Sequence, residues 1–189
     1  MGERLTEKRM EDRRFRKTEE AILKAFFEGG GFVSIGVMAE KAGVARSTFY
    51  RHHKAVRMIV PDYKRFILNR YKRNIGSLMK KRISLRTLLL RIPVFIIANK
   101  HAFKLLCRNG DKSIIRDMVF YLKPKILKAA CLPENHETIF KVYVGEVVEL
   151  IDCWMKDECE KTEMEKLVSN IEYLTETMRT RLLPIEKVN

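Results

Sequence analysis

An all-α protein in two parts is what the sequence predicts: a three-helix head over residues 1–58 containing a helix-turn-helix, and a helical body of about six helices over 59–189. Apolar residues recur at three- and four-residue spacing along almost every segment, and no stretch alternates as a half-buried strand requires. Glycine and proline number only 9 and 5 in 189 residues, too few for the turns of a sandwich or barrel. Between two short helical runs stands Gly43, where a tight turn demands positive φ.

Residues 3–17 are nearly all charged and read as an arm, ending in the basic run RRFRK at 13–17. Such arms can reach phosphates or a minor groove, although a solvated terminus has the same composition. A first helix is expected from Thr18 to about Glu28, with Ile22, Leu23, Phe26 and Phe27 on one side, stopped by Gly29-Gly30-Gly31. Ser34 suits the N-cap of a second helix, Ile35 to Ala42, and a third runs from about Arg46 to His52. A longer helix follows with Pro61 in its first turn and Tyr63, Phe66, Ile67, Tyr71, Ile75 and Leu78 on one side. Ser84 caps the next, interrupted near Pro93. Shorter helices are expected over 101–108 and over 111–130, the latter kinked at Pro124, and two long ones over 134–158 and 162–183. Internal repeats are absent from the sequence.

The formal net charge is +14 and the pI about 9.8, which points to a polyanionic partner. That charge is uneven: residues 61–130 hold 18 Lys/Arg against 3 Asp/Glu, whereas residues 131–189 hold 7 against 13. Long-range attraction to a polyanion is one use for the middle section, with Lys72, Arg73, Lys80, Lys81 and Arg82 its foremost cations. The four cysteines (Cys107, Cys131, Cys153, Cys159) form no CxxC pair and no metal-type spacing with histidine, so neither a metal nor another cofactor is expected. LLLRIPVFIIA at 88–98 is too short to span a bilayer and contains Arg91 and Pro93. The charged first residues lack a secretory signal, and MGERLT matches a myristoylation pattern only as chance would allow. A cytoplasmic protein that does not enter membranes is therefore expected. No nucleophile–base set and no glycine-rich phosphate loop is spelled out, so an enzyme is not expected.

The two short helices around Gly43 carry the sharpest signal. Ala39 suits a close helix crossing, and Met38, Ala42, Val44 and Phe49 would face a small shared core. With Phe49 buried, Arg46, Ser47, Thr48, Tyr50 and Arg51 are left outside, a set of guanidinium, hydroxyl and phenol groups suited to phosphates and base edges. An ordinary αα-hairpin with a polar outer face would share this pattern.

Ser34 followed by MAEKAGVARSTFYRHH at 38–53 resembles the TetR/AcrR family of bacterial helix-turn-helix transcriptional regulators, and the likeness covers about residues 16–60. KVYVGEVVELIDCW is similar to the penultimate helix of a subgroup of that family. The resemblance implies a homodimeric DNA-binding regulator, most often a repressor, which docks on a two-fold operator and is released by a small-molecule effector in its body. It implies that Ser34, Thr48, Tyr50 and His52 touch phosphates and that Arg46 and Ser47 meet bases. Three positions depart from the family pattern. Ala45 replaces the usual serine and forgoes an N-cap worth about 1 kcal/mol. His53 replaces the phenylalanine that seals the small core, and Val56 replaces a phosphate-binding lysine, for which Lys54 or Arg57 would substitute.

For the body, the resemblance implies an effector pocket, with Phe95, Phe103, Met118, Tyr121 and Trp154 as candidate lining, residues that equally suit plain core. In 139–155 the polar positions Lys141, Gly145, Glu149 and Asp152 form one narrow stripe and apolar residues cover the rest, so this helix is expected to be buried on two sides. The last helix carries a stripe from Met164 to Leu182. A four-helix dimer interface through Val144, Val147, Ile151, Leu167, Ile171, Leu174 and Met178 is what the resemblance implies, and a monomer core is the other use for the same residues. The rival from another class is a helical interaction protein held to anionic surfaces by charge, without sequence-specific DNA recognition.

Overall fold

A computed structural model describes residues 13–29, 34–107, 110–131, 137–157 and 163–182. The protein is all-α, with no strand among the described residues. Gly30, Gly31, Asn109, His136, Cys159 and the arm before Arg13 lie outside those residues, as does the side chain of Leu182. The chain divides into two compact units. The first takes the described residues up to Asn69 together with 101–107, and the second takes 70–100 and those from Gly110 onward. The division between these units falls within a helix, after Asn69.

In the first unit, α1 spans Arg13–Glu28. It already includes RRFRK at 13–17, ahead of the expected Thr18, so that run is helical rather than an arm. The reason lies in the side chains: Phe15 stacks on His52 and Glu19, one turn on, is buried, so the helix is extended by tertiary contacts that local propensity does not report. Ile22, Leu23 and Ala25 fill the face below. Helix α2 spans Ile35–Lys41, and Ser34 caps it by accepting from the Val37 amide at 3.4 Å. Gly43, at φ +64°, turns the chain, with the Val44 amide bonded back to the Ala39 carbonyl at 2.9 Å. Helix α3 spans Arg46–His52. A 3₁₀ turn, Val56–Met58, leads into α4, Ile59–Met79. Pro61 stands in the first turn of α4, where no amide partner is lost. Met38, Phe49, Ile59, Tyr63 and Ile67 are fully buried in this unit's core; Ala42 and Val44 are only half-buried.

The second unit holds the rest of α4, then α5 (Leu85–Leu89) and α6 (Arg91–Ala98). Helix α7, Lys100–Leu106, falls almost wholly in the first unit. Helices α8 (Ser113–Tyr121), α9 (Lys123–Ala129), α10 (Glu137–Lys156) and α11 (Met164–Leu182) complete the second unit. Pro93 and Pro124 start helices rather than bend them. Pro124 is the second residue of α9 and Pro93 the third of α6, both in first turns whose amides lack intrahelical partners; the breaks fall just upstream, at Leu122 and Leu90.

Helix α10 packs on α8 and α11, and α11 packs on α5. Ion pairs reinforce both joints. Arg86 of α5 bonds Glu165 and Glu172 of α11. Lys112, before α8, reaches Glu149 at 2.7 Å and the buried Asp152 at 2.9 Å, while Lys156 reaches the same Asp152 oxygen at 2.8 Å. Burial alone would raise the Asp152 carboxyl, but these two ammonium groups outweigh it and hold its pKa below the ordinary value. Asp152 therefore belongs to the packed side of α10, not to its exposed polar stripe. Between α10 and α11, the Tyr143 and Thr175 hydroxyls meet at 3.0 Å, and Thr175 donates to the Ile171 carbonyl.

Candidate nucleic-acid interface

Helix α3 has two turns, and its residues divide cleanly between inside and outside. Phe49 is fully buried. Arg46, Ser47, Tyr50 and Arg51 are exposed, Tyr50 at 57% of its free area, and Thr48 is half-buried. Arg51 donates to the Thr48 hydroxyl at 3.0 Å, so these two side chains are tied along one edge of the helix. No side chain caps the N-terminus at Ala45. The basic and hydroxyl groups therefore stand on a short helix whose orientation must come from packing, since seven residues are far below the length at which a helix holds itself.

Arg46 is held from a side that the sequence did not reveal. A Cβ on Gly36 of α2 would lie 2.5 Å from Arg46 Nη2 and 3.1 Å from its Cζ, so the guanidinium rests against the glycine backbone. Ser34, which caps α2, is exposed near the same turn, and Lys54 is exposed after α3.

His52 has a different place from the one expected. Its ring stacks on Phe15 with centroids 4.1 Å apart, and its Nδ1 lies 2.6 Å from Glu19 Oε1, so it faces α1 rather than an open surface. His53, which follows α3, is 1% exposed and fills the core position next to Phe49. Its Nδ1 lies 3.1 Å from Asp62 Oδ2 of α4. Its Nε2 lies 3.2 Å from Glu19 Oε2, an ion-pair distance, though off the line of a good hydrogen bond. Asp62 also receives Arg65. Burial by itself would depress the His53 pKa; the contacts with Glu19 and then Asp62 outweigh it and raise it above the ordinary value. Burial would likewise raise Glu19, but its contacts with His52 and His53 hold it below the ordinary carboxylate range. A cavity of about 370 Å³ adjoins this cluster, lined in part by Phe15, His52, Lys54, Met58 and Phe66.

Most of the other predicted site residues fall into the core of their units. Among the effector-pocket candidates, Phe103 belongs to the first unit and Phe95, Met118, Tyr121 and Trp154 to the second, so the five do not form one lining within a unit. Phe95, Met118 and Trp154 are buried; Tyr121 is half-buried, with Lys72 5.5 Å above its ring and Tyr71 against its edge. Tyr71 is fully buried, and burial raises its pKa well above the ordinary phenol value. Of the dimer-interface candidates, Val144, Val147, Ile151, Leu167 and Ile171 are buried within the chain, packed between α8, α10 and α11. They serve the monomer core. Leu174 and Met178 instead line a groove of about 250 Å³ with Ile139, Val142 and Thr177, beside which Val142 and Tyr173 are 60% and 73% exposed.

No family model, curated protein or solved structure matches the chain. Among the described residues, no helix is long and apolar enough to cross a membrane, and no group of three or more His, Cys, Asp or Glu is placed to bind a metal ion.

Proposed function

We propose that the protein is a sequence-specific DNA-binding transcriptional regulator of the TetR type, with α3 as the helix that enters the major groove. One observation carries the reading. Arg46, Ser47, Tyr50 and Arg51 stand exposed together on a two-turn helix whose opposite side is anchored by fully buried Phe49. Guanidinium groups suit guanine edges and phosphates, and hydroxyls suit phosphates, so this surface has the chemistry of a groove reader. The +14 net charge adds attraction that is independent of sequence. In this role Arg46 and Ser47 read bases, while Ser34, Thr48, Tyr50, Arg51 and Lys54 hold phosphates.

A homodimer fits this role, because two copies of α3 about 34 Å apart read a two-fold site. The groove of α10 and α11 lined by exposed Val142 and half-buried Leu174, with exposed Tyr173 beside it, is the face for the second copy. A repressor displaced by an effector in the second unit is the regulatory form carried over from the family.

The test is selection of bound sequences from random duplex DNA by the purified chain, with stoichiometry measured on the selected complex. A two-fold motif bound by an even number of chains supports the reading. Thr48→Ala with Tyr50→Ala is expected to remove most site preference. Equal affinity for every duplex, untouched by that pair of substitutions, would show instead a helical protein held to polyanions by charge alone.

A further inference from the structure

We propose that Glu19 is a positioning residue: its carboxylate, shared by His52 and a doubly protonated His53, clasps the C-terminal end of α3 to α1 and α4, so that the setting of α3 depends on pH. The consequence for DNA rests on the function proposed above; the clasp itself does not.

Two carboxylates against one buried ring favour the second proton on His53. A neutral imidazole has one N–H and one lone pair. Here both ring nitrogens of a buried imidazole face carboxylate oxygens, Nδ1 at 3.1 Å from Asp62 and Nε2 at 3.2 Å from Glu19. A neutral ring would aim a lone pair at an anion with no water between them. The imidazolium donates Nδ1–H to Asp62 and sets its positive charge 3.2 Å from the Glu19 carboxylate. It also stands at the C-cap of α3, where the exposed carbonyl ends favour a cation.

The charged groups around the ring come from every element that meets it. Helix α1 supplies Glu19, α3 supplies His52, and α4 supplies Asp62 with Arg65 bonded to it. Lys54 lies at the edge of the neighbouring cavity. Glu19 is the shared member: its two oxygens take one histidine each, and it is 4% exposed. Since α3 has no side-chain cap at Ala45, the histidines at its other end do more of the work of holding it. Raising the pH strips one proton from His53 and leaves one of the two carboxylates facing a buried lone pair. Lowering it far enough protonates Glu19 and frees both histidines. The helix is held firmly only between those limits.

The test pairs NMR titration of the histidine ring signals in the full-length free chain with DNA affinity across about pH 6 to 9. His53 is expected to stay doubly protonated near neutral pH and to titrate above its ordinary value. Affinity for the selected duplex is expected to fall about tenfold or more as pH rises through that value, beyond the fall seen with a duplex bound only by charge. His53→Phe keeps the core filled and is expected to flatten this alkaline fall. Glu19→Gln is expected to lower the His53 titration point and move the fall to lower pH; if that variant does not fold, Glu19→Asp and the wild-type titration still decide. A singly protonated His53 near neutral pH, or identical pH profiles for wild type and His53→Phe, overturns the clasp. A chain that binds no duplex selectively while His53 titrates high sinks the functional reading and leaves the clasp standing.

Discussion

Gly36→Ala separates the duty of Arg46 from the stability of the fold. An added methyl would sit 2.5 Å from Nη2, 3.1 Å from Cζ and 3.2 Å from Nε of Arg46. Carbon contacts settle near 3.5–4.0 Å, so the guanidinium must retreat by about 1 Å. Arg46 is exposed and its guanidinium is the far end of a flexible side chain, so the retreat costs the fold little. Alanine is also favoured over glycine in a helix interior by about 1 kcal/mol, less in a first turn. Stability in urea should therefore be unchanged or up to about 1 kcal/mol higher. Recognition should move the other way. A bidentate arginine–guanine pair is worth about 1–3 kcal/mol of discrimination, so a displaced guanidinium should lose roughly 5- to 150-fold between the selected site and a site altered at one guanine. Fluorescence anisotropy on both duplexes reads the ratio. Unchanged discrimination would refute a base-reading Arg46 supported by α2, and a stability loss above about 1 kcal/mol would refute the claim that only a side-chain end is in the way.

Phe49→Ala should cost about 3–5 kcal/mol in urea unfolding, because it empties the centre of the first unit's core; a loss under 1 kcal/mol would mean that Phe49 does not anchor α3. The stability contributed by His53, whose pKa is raised on folding, is fully present below its ordinary unfolded pKa and is lost as pH rises through the folded value. That of Glu19, whose pKa is lowered, is present above the unfolded carboxylate value and is lost as pH falls through the folded one, so unfolding measured against pH should show a plateau between the ordinary carboxylate and ordinary histidine values. Lys112→Met leaves the Asp152 carboxylate with Lys156 alone and should cost about 1–2 kcal/mol, a difference that fades as acid protonates Asp152. Val142→Glu with Tyr173→Glu should halve the mass seen in sedimentation equilibrium while leaving thermal unfolding nearly unchanged, since both residues are exposed in the single chain.

Where the sequence missed, it missed at contacts between distant residues. Glu19 occupies an inward position of α1, one turn after Phe15 and three residues before Ile22. A charge at such a position signals a buried partner, and His53, in place of an apolar residue, was the matching signal 34 positions away. Neither is interpretable alone, because pattern gives the face of a helix and not what that face meets. The same limit explains the last two helices. Their apolar stripes were legible, but a stripe buried against α8 and one buried against a second copy have the same spacing, so Val144 and Ile151 could be assigned to either.

The sequence by itself determined the all-helical class, the Ser34 cap, the turn at Gly43 and the inward Phe49, because each follows from local backbone rules acting within a few residues. The tertiary structure alone decided that residues 13–17 join α1, that His52 turns to Glu19 and that Arg46 lies on Gly36. Those outcomes depend on which side chains folding brings within a few ångströms of one another, and spacing along the chain does not carry that information.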